Sequence, residues 1–457
     1  MNTIEVQFLG AASTVTGSKY HLKSDHFNFL IDCGLFQGLK ELRLKNWEPL
    51  PLNPNILDFV LLTHGHLDHC GYLPKLVKEG FDGFIMGSAP TLAIAKIIMM
   101  DSAKIMMEDA KRANEEGFSK HSPALPLYTL DDVERTLDKF KTIEPNTIIT
   151  LNEKLRARFR MAGHIIGATF IEIYAYGKVL VFSGDIGREQ DLLLEAPEKP
   201  EWADYLFLES TYGDRIHSKD DYEVRLIECV KFAIQHGSPI IIPSFAVERM
   251  QLVMVILWQL YLKNKIPNIP IYIDSPMGNA VVDVFKNFLK WHKIPKNQLR
   301  AIEERMHIVT SYAETWEIID RNQAKIIIAG SGMVTGGRVL TYLQQLIDQE
   351  HTQIILCGFQ AEGTRGRQLK EGAHELKING KYYPVKAKVY SLDSLSAHAD
   401  QAELLNWTSK IKNIPERVFL VHGEPHAADV FRVRMNYIYN WNVNIPKLFD
   451  VIKIITD

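Results

Sequence analysis

Three histidines and an aspartate crowd into the run Thr63-His64-Gly65-His66-Leu67-Asp68-His69. Imidazole titrates near neutrality and is the commonest protein ligand for zinc, so a cluster this tight points to metal where a lone histidine would not. His64 and His66 stand two apart, which sets both side chains on one side of an extended segment. Asp68 and His69 fall where Cys70-Gly71-Tyr72-Leu73-Pro74 opens a helix, so they approach from another direction. One turn can therefore serve two ions. The alternative, a polar loop of solvated histidines, is disfavoured by the H-x-H-x-D-H spacing at a strand end.

Four further strand ends carry a histidine or an acid beside glycine: Asp32 in LIDCG, His164 in MAGHIIGA, Asp185 in VFSGDIG and His422 in VFLVHGEP. Each interrupts an apolar run with a group that is costly to bury unpaired. Taken singly, such residues are ordinary turn formers. Five together predict a common site at one edge of the sheets, where open α/β folds place their chemistry.

The elements that must position them follow from the pattern. IEVQFLG, SKYHLKS and FNFLIDCG read as strands, and the apolar run Ile56–Thr63 as a buried strand ending at His64. Helices are expected through Met107 and Arg112 and near DDVERTLDKF. A second set of strands, ARFRMAG, TFIEIYAYG, KVLVFSGDIG and YLFLEST, echoes the first. From about Tyr212 to Lys386 the texture changes to regular strand–helix units such as SPIIIPSF before VERMQLVMVILWQLYLKN. Continuous apolar strands of this kind belong to a parallel sheet covered on both faces. Ligand-type residues resume afterwards in SLSAHAD and VHGEP, which makes the middle part an insertion into the first domain.

Across 457 residues, 46% hydrophobic and 23% charged, there is material for two to three globular domains with full cores. The net charge of −3 supplies no global positive field for nucleic acid, although a local basic groove is compatible with it. Cys33, Cys70, Cys229 and Cys357 are scattered without a C-x-x-C pair, as expected of reduced thiols in a cytoplasmic protein. Glu5 interrupts the amino terminus where a signal peptide needs an apolar core, and Leu252–Leu262 is too short to span a bilayer, so no membrane partner is expected.

The motifs resemble the β-CASP nucleases of the metallo-β-lactamase fold: HGHLDHCG as the signature loop, GHIIGA and SGDIG as later ligand motifs, LESTYGDR, SAHAD and VHGEP as the family's three further motifs. GSGMVTGGR and GFQAEGTRGR are similar to bacterial and archaeal members and to the nuclease subunit of the eukaryotic pre-messenger 3′-end processing factor. The resemblance implies an α/β fold, a metallo-β-lactamase αβ/βα sandwich over 1–210 and 389–457 with an inserted β-CASP domain over 211–388. It puts one zinc on His64, His66 and His164 and a second on Asp68, His69 and His422, with Asp185 bridging. Asp32 would orient the histidine loop, and Glu209 and His398 would form a pair facing the scissile phosphate, with His398 the proton donor to the leaving group. No organic cofactor is implied, and a homodimer is left open.

GSGMVTGGR lacks the third glycine of a dinucleotide fingerprint, Thr335 standing in its place. Ser331, Gly332 and Met333 are instead expected to offer backbone N–H groups to RNA phosphates, with Arg338, Arg365 and Arg367 as fork-like donors beside them. By resemblance, histidine at position 422 marks the RNA-cleaving branch and valine the DNA-repair branch. The expected activity is a zinc-dependent ribonuclease, endonucleolytic, 5′-exonucleolytic or both, leaving a 5′-phosphate and a 3′-hydroxyl. Three rivals remain: a DNA nuclease, a hydrolase of lactams, lactones or thioesters, and a non-catalytic RNA-binding subunit. The chain is expected to lack a further carboxy-terminal assembly domain and a preceding RNA-binding module, hence to have low sequence preference.

Overall fold

The computed structural model describes residues 2–117, 121–217 and 221–456. The chain divides into two compact units, one formed by Met1–Ile216 with His398–Asp457, the other by His217–Ala397. The strands in chain order are β1 (Asn2–Phe8), β2 (Tyr20–Lys23), β3 (Asn28–Ile31), β4 (Phe59–Leu61), β5 (Phe84–Gly87), β6 (Phe140–Thr142), β7 (Ile148–Asn152), β8 (Leu155–Met161), β9 (Thr169–Ala175), β10 (Lys178–Phe182) and β11 (Tyr205–Glu209). The second unit adds β12 (Pro239–Pro243), β13 (Ile271–Asp274), β14 (His307–Ile308), β15 (Lys325–Ala329), β16 (Gln353–Cys357), β17 (Glu375–Ile378), β18 (Lys381–Pro384) and β19 (Lys388–Leu392). The return segment supplies β20 (Arg417–Val421), β21 (Val443–Asn444) and β22 (Val451–Thr456).

In the first unit two seven-stranded sheets, β22-β1-β2-β3-β4-β5-β6 and β21-β20-β11-β10-β9-β8-β7, share one apolar core. Its centre is a row of phenylalanines on three parallel strands, Phe182 opposite Phe207 and Phe207 opposite Phe419. The rings lie 4.1 Å and 5.2 Å apart, centroid to centroid, with interplanar angles of 3° and 20°. Each such pair contributes about 0.5–1.5 kcal/mol beyond its buried area. A one-residue slip would turn this row out of the core, so it fixes the register of β10, β11 and β20. Those strands run on in the same direction into Asp185, Glu209 and His422, while parallel β3 and β4 run on into Asp32 and His64.

The expected strand over Ile56–Thr63 is shorter than the apolar run suggested. Pro54–Ile56 forms a 3₁₀ turn capped by Asn53, whose side chain accepts the Asn55 N–H, and pairing begins only at Phe59. The second unit is built on a six-stranded parallel sheet, β14-β13-β15-β12-β16-β19, with β17 and β18 as a separate hairpin. Its edge strand β19 pairs with β16 from Gln353–Lys388 to Cys357–Leu392. The segment from 389 onward, assigned from sequence to the return part, thus begins inside this sheet, and the seam falls after Ala397. The apolar stretch Leu252–Leu262 lies in the helix Arg249–Leu262, whose residues are mostly buried. Among the described residues no helix is long and apolar enough to cross a membrane.

Candidate metal centre

Asp32, fully buried at the end of β3, organises the histidine loop. Its Oδ1 accepts the Thr63 N–H at 2.8 Å, and its Oδ2 accepts the Thr63 hydroxyl and the His69 Nδ1–H, each at 2.8 Å. A carboxylate can only accept, so His69 donates from Nδ1, which makes Nε2 the nitrogen that would meet a metal. Thr63 Oγ1, having given its proton to Asp32, accepts from His64 Nδ1 at 3.1 Å, which leaves a lone pair on His64 Nε2. One acid thereby sets the tautomers of two rings.

His64 Nε2 joins a cluster of ring nitrogens. His64 Nε2 is 3.1 Å from His66 Nδ1, and His164 Nε2 is 3.2 Å from the same atom. Asp185 Oδ2 closes the group at 3.4 Å from His64 Nε2 and 3.5 Å from His164 Nε2. Burial, followed by the neighbouring His64, pushes His66 down to about 3, and burial likewise pulls His64 and His164 below the ordinary imidazole range. Three neutral imidazoles aiming nitrogens at one carboxylate suit a cation; tetrahedral zinc with Zn–N bonds of about 2.05 Å has ligand edges of about 3.3 Å.

A second group forms on the other side of Asp185. Asp68 Oδ2 lies 3.1 Å from His422 Nε2 and 3.6 Å from His69 Nε2, while Asp185 Oδ1 lies 3.3 Å from His69 Nε2 and 3.6 Å from His422 Nδ1. The ligand atoms of His64, His66, His164 and Asp185 fall within 4.8 Å of one another, as do those of Asp68, His69 and His422. Asp185 faces both groups, Oδ2 towards His64 and His164 and Oδ1 towards His69 and His422. Burial alone would raise the two acids, but His69 and His422 outweigh it and hold Asp68 and Asp185 below the carboxylate range. Asp68 can sit this close because Gly34 passes over it: a β-carbon there would meet the Asp68 carbonyl oxygen at 1.6 Å.

Glu209 and His398 complete the site. Glu209 Oε1 is 3.2 Å from His398 Nδ1 and accepts the Ile186 N–H at 2.7 Å, and its Oε2 accepts the Thr211 N–H at 3.3 Å. His398 Nε2 points the other way, 4.0 Å from Asp185 Oδ2. A bridge from Gly187 to His398 and the Ala399 N–H to Ile186 carbonyl bond tie this segment beside Asp185. The structure thus brings together all the predicted residues of the histidine loop and the strand ends, together with Glu209 and His398.

The six residues predicted to contact RNA lie in the other unit, where the three arginines among them already donate to neighbouring groups of that unit. Ser331 Oγ accepts the N–H groups of Thr335 and Gly336, the Ser331 carbonyl accepts that of Val334, and of the three predicted backbone donors the Ser331 N–H is taken by the Gly336 carbonyl at 3.2 Å. Arg338 donates to Ser311 O and Thr315 Oγ1 and lies over the Tyr312 ring. Arg365 donates to the carbonyls of Lys377, Val334 and Thr335; Arg367 donates to Glu371 and to the Gln360 carbonyl. Gly332 and Met333 are packed in: a β-carbon on Gly332 would meet the Phe245 N at 2.7 Å, and the Met333 carbonyl accepts the Gly366 N–H. The arginines hold the shape of these loops because a planar fork donates to several oxygens at once.

Sequence reasoning passed over the hydroxyls that orient the rings: Thr63, Ser18, whose Oγ is 3.3 Å from His69 Nε2, and Thr211, 3.1 Å from His422 Nδ1. Thr63 directly precedes His64, and Thr211 lies in LESTYGDR; adjacency to a ligand motif was the available signal.

Comparison with known proteins gives concordant matches. A metallo-β-lactamase superfamily domain matches residues 21–200, a Beta-Casp domain 250–369, and a Zn-dependent metallo-hydrolase RNA specificity domain 382–446. Ribonuclease TTHA0252 of Thermus thermophilus is 33% identical over 425 residues, covering 91% of this chain and 92% of its own. The transcription termination factor FttA of Methanocaldococcus jannaschii is 29% identical over 99% of this chain and 72% of its own length; that of Pyrococcus horikoshii is 30% identical over 88% and 62%. A crystal structure of a protein of unknown function from Enterococcus faecalis superimposes with a TM-score of 0.55 at 14% identity, covering 99% of this chain and all of that one.

Proposed function

This chain belongs to the β-CASP family of metallo-β-lactamase-fold hydrolases, and from that premise we propose that it is a ribonuclease that hydrolyses RNA phosphodiesters at a two-zinc centre. His64, His66 and His164 would hold one ion and Asp68, His69 and His422 the other, with Asp185 between the two groups. The observation that carries this reading is the position of Asp185, with one oxygen facing each histidine group and His398 on its flank. Bound at these ligands, zinc supplies a nucleophile at neutral pH and neutralises the charge that grows on the phosphodiester.

The chain's own groups do the rest. Asp32 holds His69 directly and His64 through Thr63, so two ligands on different ions are oriented from one point. Glu209 takes the Nδ1–H of His398 and leaves Nε2–H to protonate the departing 3′-oxygen, which yields a 3′-hydroxyl and a 5′-phosphate. Arg338, Arg365 and Arg367 keep the turns around Ser331–Met333 in the shape that receives the RNA strand. RNA is favoured over DNA by the histidine at 422 and by the 33% identical relative that is named a ribonuclease.

Labelled RNA, the matching DNA and a chromogenic lactam incubated in parallel with the metal-loaded protein test the proposal. Cleavage of RNA with a 5′-phosphate on the new end is the expected result. Preferential cleavage of DNA or of the lactam would replace it with the corresponding rival.

A further inference from the structure

His422 stands in an awkward backbone position: its φ is +47°, a region that side chains with a β-carbon seldom occupy. It is held there from three sides. Its N–H donates to the Ala11 carbonyl at 2.8 Å, its carbonyl accepts the Ser210 N–H at 3.3 Å, and that same carbonyl is 3.1 Å from the Thr211 hydroxyl. The next residue must be glycine, since a β-carbon on Gly423 would sit 2.1 Å from Ser210 Oγ.

Thr211 does more than hold the backbone. Its Oγ1 is also 3.1 Å from His422 Nδ1, and the side chain is almost fully buried. A hydroxyl has one proton, and a carbonyl oxygen can only accept. The Thr211 proton therefore goes to the His422 carbonyl, and Oγ1 accepts from Nδ1–H. Nε2 is then the nitrogen left to an ion, 3.1 Å from the Asp68 carboxylate oxygen that would share it.

We infer that Thr211 is a positioning residue that fixes the tautomer and ring orientation of His422 for the ion shared with Asp68 and His69. The inference rests on the two-zinc reading above. It also gives the tripeptide Glu209-Ser210-Thr211 two separate duties: Glu209 orients His398, and Ser210 with Thr211 orients His422.

The test compares Thr211→Val, which keeps the shape and removes the hydroxyl, with Thr211→Ala and Thr211→Ser. Zinc affinity is measured by competition with a chromophoric chelator, and thermal melts of the metal-free proteins report folding. Val and Ala should lower the affinity for one of the two zincs by about 10–100-fold, with the Ser variant within about threefold of the parent. Parental zinc affinity in the Val or Ala variant, or a Ser variant that falls as far as Ala, would overturn the inference. His422→Ala is the control: if it still binds both zincs with parental affinity, the ligand assignment fails and the inference with it; if it loses one while Thr211→Ala loses none, the inference alone fails.

Discussion

Glu209 Oε1 is shared between His398 Nδ1 at 3.2 Å and the Ile186 N–H at 2.7 Å. The carboxylate is fully buried, so it is a fixed acceptor and His398 is held by a strand end through it.

His398→Ala should therefore keep both metals and still bind RNA while turnover falls by about 10²–10⁴-fold. A substrate with a better leaving group needs less help from an acid and should recover part of the loss. Glu209→Gln should fall in the same direction, since the amide replaces one of the two accepting oxygens with an NH2 and removes the negative charge beside His398. Zinc loss from His398→Ala, or equal defects on both substrates, would contradict the proton-donor role.

Asp185→Asn should be the most damaging single change. It weakens the one carboxylate that faces both histidine groups, so elemental analysis should show less than two zinc per chain and activity should drop to background. Metal bound only by the folded state stabilises it by about 4 kcal/mol when free metal is 1,000 times the dissociation constant. A chelator should accordingly lower the melting temperature of the parent and leave that of Asp185→Asn nearly unmoved. An equal chelator-induced drop in both would place the bridge elsewhere.

Arg365→Ala should raise the apparent Michaelis constant by roughly 10–100-fold with little change in kcat, on the basis of about 1.5–3 kcal/mol for a hydrogen bond to a charged group. The side chain supports the Val334 and Thr335 carbonyls, so amide exchange in residues 331–336 should quicken in the same variant. Arg365→Lys should not restore either, because a point charge cannot reproduce the fork. A raised Michaelis constant with unchanged exchange would mean that the arginine meets RNA directly.

In the metal-free protein, the folded state holds His66 down to about 3, through burial first and His64 second. The unfolded chain takes up that proton near pH 6.5, at the ordinary imidazole value of about 6.5. Between about pH 6.5 and about pH 3 the unfolded state binds more protons at this position, so its contribution to stability is present above that range and is lost on acidification. His69 works in the opposite sense: burial pulls it down, but Asp185, Asp32 and Asp68 outweigh this and raise it, a contribution present at low pH and lost as pH rises through its folded pKa. His66→Asn isolates the first effect and should flatten the acid limb in urea titrations with chelator present. An unchanged limb would show that His66 is already charged in the folded protein.

The meeting of the strand ends was legible because acids and imidazoles at the ends of apolar strands are costly to bury unpaired and five such ends predict one place, whereas their division between two ions came from the family resemblance alone. The parallel sheet of the second unit was legible for the same reason, in continuous runs such as Ile240–Ile242 and Ile326–Ile328. The partners of Arg338, Arg365 and Arg367 were not, because they are mostly backbone carbonyls, which every residue carries and no motif marks. Thr63 and Thr211 escaped because a hydroxyl acquires its role only from a distance and a direction. The edge strand Lys388–Leu392 escaped because its residues are mostly half-exposed and show no continuous apolar run.

The pairing of β11 with β20 places Glu209 beside Val421, just before His422, across more than two hundred residues of chain. On the ribosome, the group formed by His64, His66, His164 and Asp185 is complete long before His398 and His422 are translated. A partly made polypeptide therefore carries one candidate group of metal ligands but lacks His398 and His422 of the others. The candidate site is thus assembled only once the return segment has inserted its strand beside β11.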